Sequence, residues 1–283
     1  MVHQNRDVAA YYERNTRRFL RWGEGGRAGA LHRSLWAPGV RSVEEAADRV
    51  NLLLAEELSS APRPDGAGHI VDLGCGVGGT AVRLAELLSA NVTGLTLSGL
   101  QVKLATERAE ARGLSDRCRF LQADFLDPPA LAPAHGVVAV ESLAHVPDPA
   151  GFFQTAREAL VPGGKLVVVD DTLEAQGAGD PARERALDRF RRGWRVPSVL
   201  APEALIELAE VAGLAHDHTR DLTPMLRLGR PRDRAIAVLV AAFGWARPLE
   251  RLAGWGNLFG GDALQTCLAR GWIRYRLMTW SKL

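Results

Sequence analysis

Cysteine, lysine and long apolar runs are what this 283-residue chain has least of. Its three cysteines, Cys75, Cys118 and Cys267, are odd in number, widely spaced and without a CxxC pair, which excludes a disulfide framework and argues against a structural zinc site. A reducing cytoplasm is the expected location. Only three of the 35 basic residues are lysine (Lys103, Lys165, Lys282), and 33 acidic residues leave a net charge of +2, so the positive field that nucleic acid requires is missing. The arginine excess, in a chain rich in Ala, Leu and Gly, reads as coding bias. The first residues, MVHQNRDVAAYYERN, contain no apolar signal core, and no window reaches the roughly 18 apolar residues of a membrane span. Neither export nor membrane insertion is expected. Metal-ligand spacing such as HExxH is absent, and His216 with His218, which would share one side of a strand, lack a third ligand. No internal repeat or low-complexity tract occurs.

What is present, 47% hydrophobic and 24% charged residues, describes a globular protein with a substantial core. Ser42 and Glu45 form a capping-box pattern ahead of a helix over roughly 43–59, and the Pro/Gly-rich stretch 60–68 breaks it. His69–Leu73 then reads as a buried strand. From there the patterns alternate: helix 82–89, strand 92–97, helix 100–112, strand 119–122, strand 136–140, helix 152–160, strand 166–170. Alternation at this spacing means βαβ units and an α/β fold, a parallel sheet with helices on both faces. Beyond Asp171 come a charged helix (181–192), a helix over 202–212, a strand over 216–222, a helix near 232–243, a Gly/Trp-rich loop and a last strand over 272–280.

The central signal is HIVDLGCGVGGT, a strand carrying Asp72 that runs into Gly74, Gly76, Gly78 and Gly79 before a helix. Loss of Cβ at such a turn lets a ligand approach the backbone, and the N–H groups of the following helix favour an anionic group. Gly74, Gly76 and Gly79 complete a formal GxGxxG, yet the Asp-x-Gly-x-Gly-x-Gly context differs from a dinucleotide fingerprint.

At these residues the chain resembles the class I S-adenosylmethionine-dependent methyltransferases. The resemblance runs from about residue 68 to 171 and continues through VTGLTLSGLQV, FLQADFLDPP, VAVESLAHVPDP and ALVPGGKLVVVDD. It implies a Rossmann-like, doubly wound seven-stranded sheet, parallel except for its last strand, that binds S-adenosylmethionine and releases S-adenosylhomocysteine. A helical lid (1–60) would precede a cofactor-binding domain (61–283) with substrate-cap insertions near 172–200 and 225–265. Asp72, Gly74, Cys75, Gly76 and Gly78 would hold the amino-acid tail of the cofactor.

The family's commonest second motif ends in a carboxylate on the ribose, whereas this chain has Thr96, Leu97 and Ser98 followed by Gln101. That pattern resembles the sterol, tocopherol and cyclopropane-type subgroup, in which a hydroxyl and a carboxamide meet the diol. Ala123, Asp124 and Phe125 correspond to the adenine site, with Asp124 on the amino group and Phe125 stacking; the structural alternative is a helix cap followed by a core aromatic. Glu141 and His145 stand where relatives that methylate electron-rich carbon carry a similar pair, able to stabilise a cation, take a proton or touch the cofactor. The structural alternative has His145 capping a helix and Glu141 pairing with an arginine. Tyr11 and Tyr12 would contact cofactor or substrate from the lid, with Tyr12 near the reacting atoms.

Phe190, Trp194, Val196, Met225, Leu226, Leu228, Trp245, Trp255, Leu258 and Phe259 would wall a pocket for a small, largely apolar or aromatic acceptor. Two arginine groups, 191, 192 and 195 and then 227, 230, 232 and 234, suit solvated helix faces better than a diphosphate. The reading is C-methylation of an alkene or an aromatic ring such as an indole in specialised metabolism. Open alternatives are O- or N-methylation, a cyclase that binds S-adenosylmethionine without consuming it, and a noncatalytic binding module. A nicotinamide dehydrogenase ranks below these. No metal is called for, no membrane or nucleic-acid partner is expected, and a homodimer is admitted.

Overall fold

The computed structural model describes Thr16 and residues 31–62, 67–197, 199–243 and 255–283. Helix α1 (Val43–Ser59) starts where the sequence places it: Ser42 Oγ accepts from Glu45 N at 3.0 Å. The return bond of the box is displaced by one residue, Glu45 Oε2 accepting from Arg41 N at 2.8 Å. The elements that follow are β1 (His69–Leu73), α2 (Gly79–Leu88), β2 (Asn91–Thr96), α3 (Gly99–Ala111), β3 (Cys118–Gln122), β4 (Ala134–Val140), α4 (Pro149–Ala159) and β5 (Leu160–Leu173). The second half contributes α5 (Pro181–Trp194), α6 (Pro202–Val211), β6 (Leu214–Asp221), α7 (Pro231–Phe243), α8 (Trp255–Ala269) and β7 (Ile273–Lys282). None of the described helices is long and apolar enough to cross a membrane.

The seven strands lie in the order β3-β2-β1-β4-β5-β7-β6, and only β7 runs antiparallel to its neighbours. Alternate residues serve opposite faces: Ile70 and Val138 pack with α1, α2 and α3, while Val71 and Val137 pack with α4 and α6. This parallel, two-layered arrangement brings the carboxyl ends of β1, β2, β4 and β5 to one edge, where α/β sheets bind ligands. A third, smaller core joins α5 to α8 through Leu187, Phe190, Leu264 and Cys267 beside that edge.

Three expectations change. Strand β5 begins at Leu160, directly after α4, and ends at Leu173; Leu160 pairs with Ala134 before the ladder shifts and resumes at Lys165 opposite Gly136, a bend that Gly163 permits with φ +73°. The expected Gly/Trp-rich loop is helical from Trp255 onward. Its glycines are packing sites rather than breaks, since a Cβ on Gly193 of α5 would lie 2.5 Å from Gly256 O. Finally, the register of β6 shifts between His216 and His218. His216 packs edge-on to Trp280, 5.9 Å between centroids, while His218 Nε2 reaches Glu57 Oε1 of α1 at 3.1 Å, so the two histidines serve opposite faces.

Candidate active site

A cavity of about 680 Å³ opens at the carboxyl ends of the strands, a size typical of small-molecule sites. Its first wall is the glycine turn. Gly74 N and Cys75 N donate to Leu95 O at 3.0 and 2.9 Å, which ties the turn to β2. Gly74 has φ +90°, and a Cβ there would fall 2.5 Å from Ser142 Cβ; at Gly78, with φ +77°, it would fall 2.7 Å from Ala105 Cβ. Gly74 therefore lets the turn pack on the residues after β4, Gly78 lets the start of α2 pack on α3, and Gly78 stands behind the cavity wall. Gly76, Gly79 and Thr80 line the cavity, so the first turn of α2 presents its backbone there. Leu31 covers Gly76, its Cδ1 3.2 Å from where a Cβ would stand.

Asp72 lines the same end. It is 2% exposed, its Oδ2 has no hydrogen-bond partner among the described residues, and burial pushes its carboxyl up to about 7. A buried, unpartnered acid is costly unless a cation completes it, and the ammonium group of S-adenosylmethionine has the required charge and donors. Burial and the neighbouring Asp72 raise the Cys75 thiol, so Cys75 is a lining group and not a nucleophile.

Thr96, Leu97, Gln101, Asp124 and Phe125 line the cavity beside this turn. Ser98 and Ala123 do not. Ser98 Oγ caps α3 by accepting from Gln101 N at 3.2 Å, and Ala123 N donates to Thr96 O at 3.0 Å. Thr96 Oγ1 donates to Gln101 Oε1 at 2.5 Å, and Gln101 Nε2 donates to Thr16 Oγ1 at 3.2 Å, so the carboxamide is oriented before any diol arrives. Asp124 Oδ1 accepts from Leu126 N at 2.9 Å, and Phe125 packs edge-on to Phe152, 5.9 Å between centroids. Both also line the cavity, and Asp124 closes a turn instead of the expected helix cap, since no helix follows it. Tyr11 and Tyr12 lie outside the described residues.

At the end of β4, Glu141 is held at φ +50°. Its Oε1 accepts three hydrogen bonds, from Arg33 N (2.8 Å), Arg33 Nε (3.0 Å) and Tyr275 Oη (2.9 Å). The Arg33 guanidinium also donates to Asp171 Oδ1 at 2.8 Å and lies 4.0 Å over the Tyr275 ring. Burial opposes ionisation of Glu141, but Arg33 prevails and holds the carboxyl below its usual range. Next to it Asp170 is pushed up to about 7 by burial and by Asp171, although Ala144 N and Asp171 N donate to its two oxygens at 3.0 and 2.8 Å. Asp171 is likewise raised by burial against the pull of Arg33.

His145 ends a short 3-10 turn (Leu143–His145) and lines the cavity. Its Nδ1 lies 3.4 Å from Arg195 O. A carbonyl only accepts, so Nδ1 carries the proton and Nε2 is the basic nitrogen. Burial lowers the imidazole below 6.5, so the ring is neutral at pH 7.

Sequence reasoning thus brings Asp72, Gly74, Cys75, Gly76, Thr96, Leu97, Gln101, Asp124, Phe125, Glu141 and His145 to one cavity. It misses Arg33, Asp170, Asp171 and Tyr275. The two aspartates carried a signal, a carboxylate pair closing the apolar run of a parallel strand. Arg33 and Tyr275 carried none.

The far wall is less apolar than the sequence suggests. Phe190, Trp194, Val196 and Leu258 line it, but so do Arg230, Arg232 and Asp233 of the α7 end and Asn257, Asp262 and Gln265 of α8. Met225, Leu226 and Leu228 pack against the cores instead, and Phe259 is 1% exposed, with the Arg189 guanidinium 5.6 Å from its ring. Trp245 and the Trp255 side chain lie outside the described residues. Arg192 pairs with Asp188 at the surface at 3.0 Å, and Arg227 stacks on Trp36 at 3.3 Å.

Residues 70–164 match a family model described as a methyltransferase domain. The chain is 34% identical over 208 residues, 73% of its own length and 72% of the relative's, to the 27-O-demethylrifamycin SV methyltransferase of Amycolatopsis mediterranei. It is 32% identical over 189 residues to an O-methyltransferase of Aspergillus nomiae, covering 66% of this chain and 80% of that one. Among solved structures it is similar to the 4+2 cyclase SpnF, with 25% identity, a TM-score of 0.75 and coverage of 98% of this chain and 96% of the other.

Proposed function

From the premise that this chain belongs to the class I S-adenosylmethionine-dependent methyltransferases of natural-product type, we propose that it methylates a hydroxyl oxygen of a small acceptor, with His145 as the base. The observation that carries this reading is the His145 ring: neutral at pH 7, oriented through Nδ1 by the Arg195 carbonyl, and set on the cavity wall. When bound, S-adenosylmethionine supplies a methyl group already activated on a sulfonium. The chain's task is then to align the acceptor, exclude water and accept one proton. His145 Nε2 takes the hydroxyl proton as the oxygen forms its new bond to carbon, and the imidazolium later yields that proton to solvent. Asp72 and the first turn of α2 hold the amino-acid tail, Thr96 and Gln101 the ribose, and Asp124 with Phe125 the adenine.

The carbon acceptor favoured by the sequence rests on the Thr96–Gln101 and Glu141–His145 motifs, with Glu141 stabilising a developing cation or taking a proton. Arg33 and Tyr275 occupy its Oε1, which weakens that role. The two named O-methyltransferases among the relatives support oxygen as well. The mixed polar and apolar far wall suits an oxygenated, partly hydrophobic acceptor better than a hydrocarbon. Incubation with methyl-labelled cofactor and a panel of hydroxylated aromatic and polyketide compounds, followed by NMR of the products, tests this. O-methyl products are expected; a C-methyl product overturns the choice of oxygen.

A second reading follows from the likeness to SpnF over nearly the whole chain: cyclisation of a bound substrate with the cofactor retained. S-adenosylhomocysteine formed in step with product supports transfer, and turnover without it supports cyclisation.

A further inference from the structure

Ahead of α1, residues 31–36 cross the carboxyl edge of the sheet as a strap. Its later part is tied down by backbone bonds, Leu35 N to Ala46 O at 2.8 Å and Trp36 N to Met225 O at 2.7 Å. Its earlier part carries Leu31, over Gly76, and His32, both lining the cavity. Among the described residues, the bonds that fasten this earlier part to the sheet all come from Arg33. Its backbone N–H and Nε converge on Glu141, its remaining fork reaches Asp171, and its plane stacks on Tyr275. One guanidinium thus joins the strap to the ends of β4 and β5 and to β7. Two carboxylates, Glu141 and Asp171, pair with this cation, and Asp170 adjoins them. A planar, permanently charged fork can satisfy two of them at once, which an ammonium cannot.

We propose that Arg33 is the positioning residue that latches the strap: by pairing with Glu141 and Asp171 it holds Leu31 over the glycine turn and His32 at the cavity wall, and so sets how fast S-adenosylhomocysteine leaves. The inference rests on the cofactor and not on the acceptor atom. An acceptor methylated on carbon, or cyclised without methyl transfer, would leave it intact.

The test is stopped-flow and calorimetric binding of S-adenosylhomocysteine to the full chain, without acceptor. Arg33→Gln is expected to speed dissociation at least tenfold without slowing association, because a latch lowers both entry and exit rates while it is closed. Arg33→Lys keeps the cation, gives up the fork, and falls between. Asp171→Asn also speeds release, and added to Arg33→Gln it brings less than its single effect, since the two share one interaction. Dissociation at the native rate in Arg33→Gln, or slowed association with unchanged dissociation, overturns the proposal. Should Arg33→Gln fail to fold, Arg33→Lys decides alone: faster release at an unchanged melting temperature supports the latch, and a native rate refutes it.

Discussion

Strands β1 and β5 each deliver a buried aspartate to the cavity, Asp72 and Asp170, and each carboxyl is pushed up to about 7, yet their surroundings differ. Burial alone raises Asp72, whose Oδ2 has no partner among the described residues. Asp170 has a backbone N–H on each oxygen and carboxylate neighbours in Asp171 and Glu141, and the ion pairs of Arg33 meet those neighbours. In the proposed reading the ammonium of the cofactor completes the β1 end. The β5 end is closed upon itself, so what it contributes is shape and position. On that reading, cofactor recognition concentrates in a few residues of one turn, while the acceptor side is spread over β4, β5, β7 and the helices α5, α7 and α8.

The largest effect that separates the two ends is at His145. His145→Gln is expected to lower kcat by about a thousandfold, the range of a lost general base, and to leave the affinity for S-adenosylhomocysteine unchanged. For the native chain kcat stays flat with pH until it drops below 6.5, because the imidazole must be neutral to accept a proton and burial lowers it from that value. Loss of cofactor affinity together with kcat would erase the division between the ends.

Asp72→Asn comes next, with cofactor binding weakened about a hundredfold through loss of a charge-assisted contact. The sign of its pH dependence is fixed. The carboxyl is neutral below about 7 in the free chain and must lose its proton to pair with an ammonium, so affinity rises with pH up to about 7 and then levels off. Calorimetry in buffers of different ionisation enthalpy should show proton release in the native chain and less in Asp72→Asn. Stability moves the opposite way. A carboxyl raised from 3.8 to about 7 leaves the stability of the free chain intact below 3.8 and erodes it as pH rises to about 7, after which the loss is constant, so the stability of Asp72→Asn relative to native is greater at pH 8 than at pH 5. Urea midpoints at the two pH values check this.

The contrast between the ends also explains what could be read in advance. Gly74, Gly76 and Gly78 stand out because positive φ and close approach leave no other residue suitable, and that requirement shows in the spacing of the glycines whatever they pack against. Strands β4 and β5 were legible as nearly unbroken apolar runs, VVAV and KLVVVD, and β1 to β3 through their alternation with helices. Arg33 meets Glu141 across 108 positions and Asp171 across 138, and Tyr275 stands beside Asp171 only through the antiparallel register of β7. No local pattern encodes those meetings. The glycines of α8 misled because glycine usually punctuates, whereas here Gly256 and Gly260 admit the backbone of Gly193.

Gly74→Ala sharpens the comparison on the cofactor side. Its Cβ would lie 2.5 Å from Ser142 Cβ at φ +90°, so strain and overlap together are expected to cost about 2 kcal/mol of stability. Gly39→Ala, at the same φ of +90° with nothing within 4 Å, isolates the strain and should cost less. Equal losses would mean that the β1–β4 contact is slack.

On the acceptor side the smallest change falls to Trp194. The indole closes the α5–α8 crossing, for a Cβ on Gly260 would lie 2.4 Å from its Cδ1, and it also forms part of the cavity wall. Trp194→Phe keeps an aromatic plug and shortens the wall, so an acceptor fitted to that wall loses contact while the turn after β1 is untouched. The expected result is a rise of about tenfold in acceptor KM with kcat and S-adenosylhomocysteine binding near native, the size of effect a lost apolar contact produces in a pocket. A change in cofactor affinity instead would place α5 in communication with the glycine turn, and the two ends would have to be treated as one.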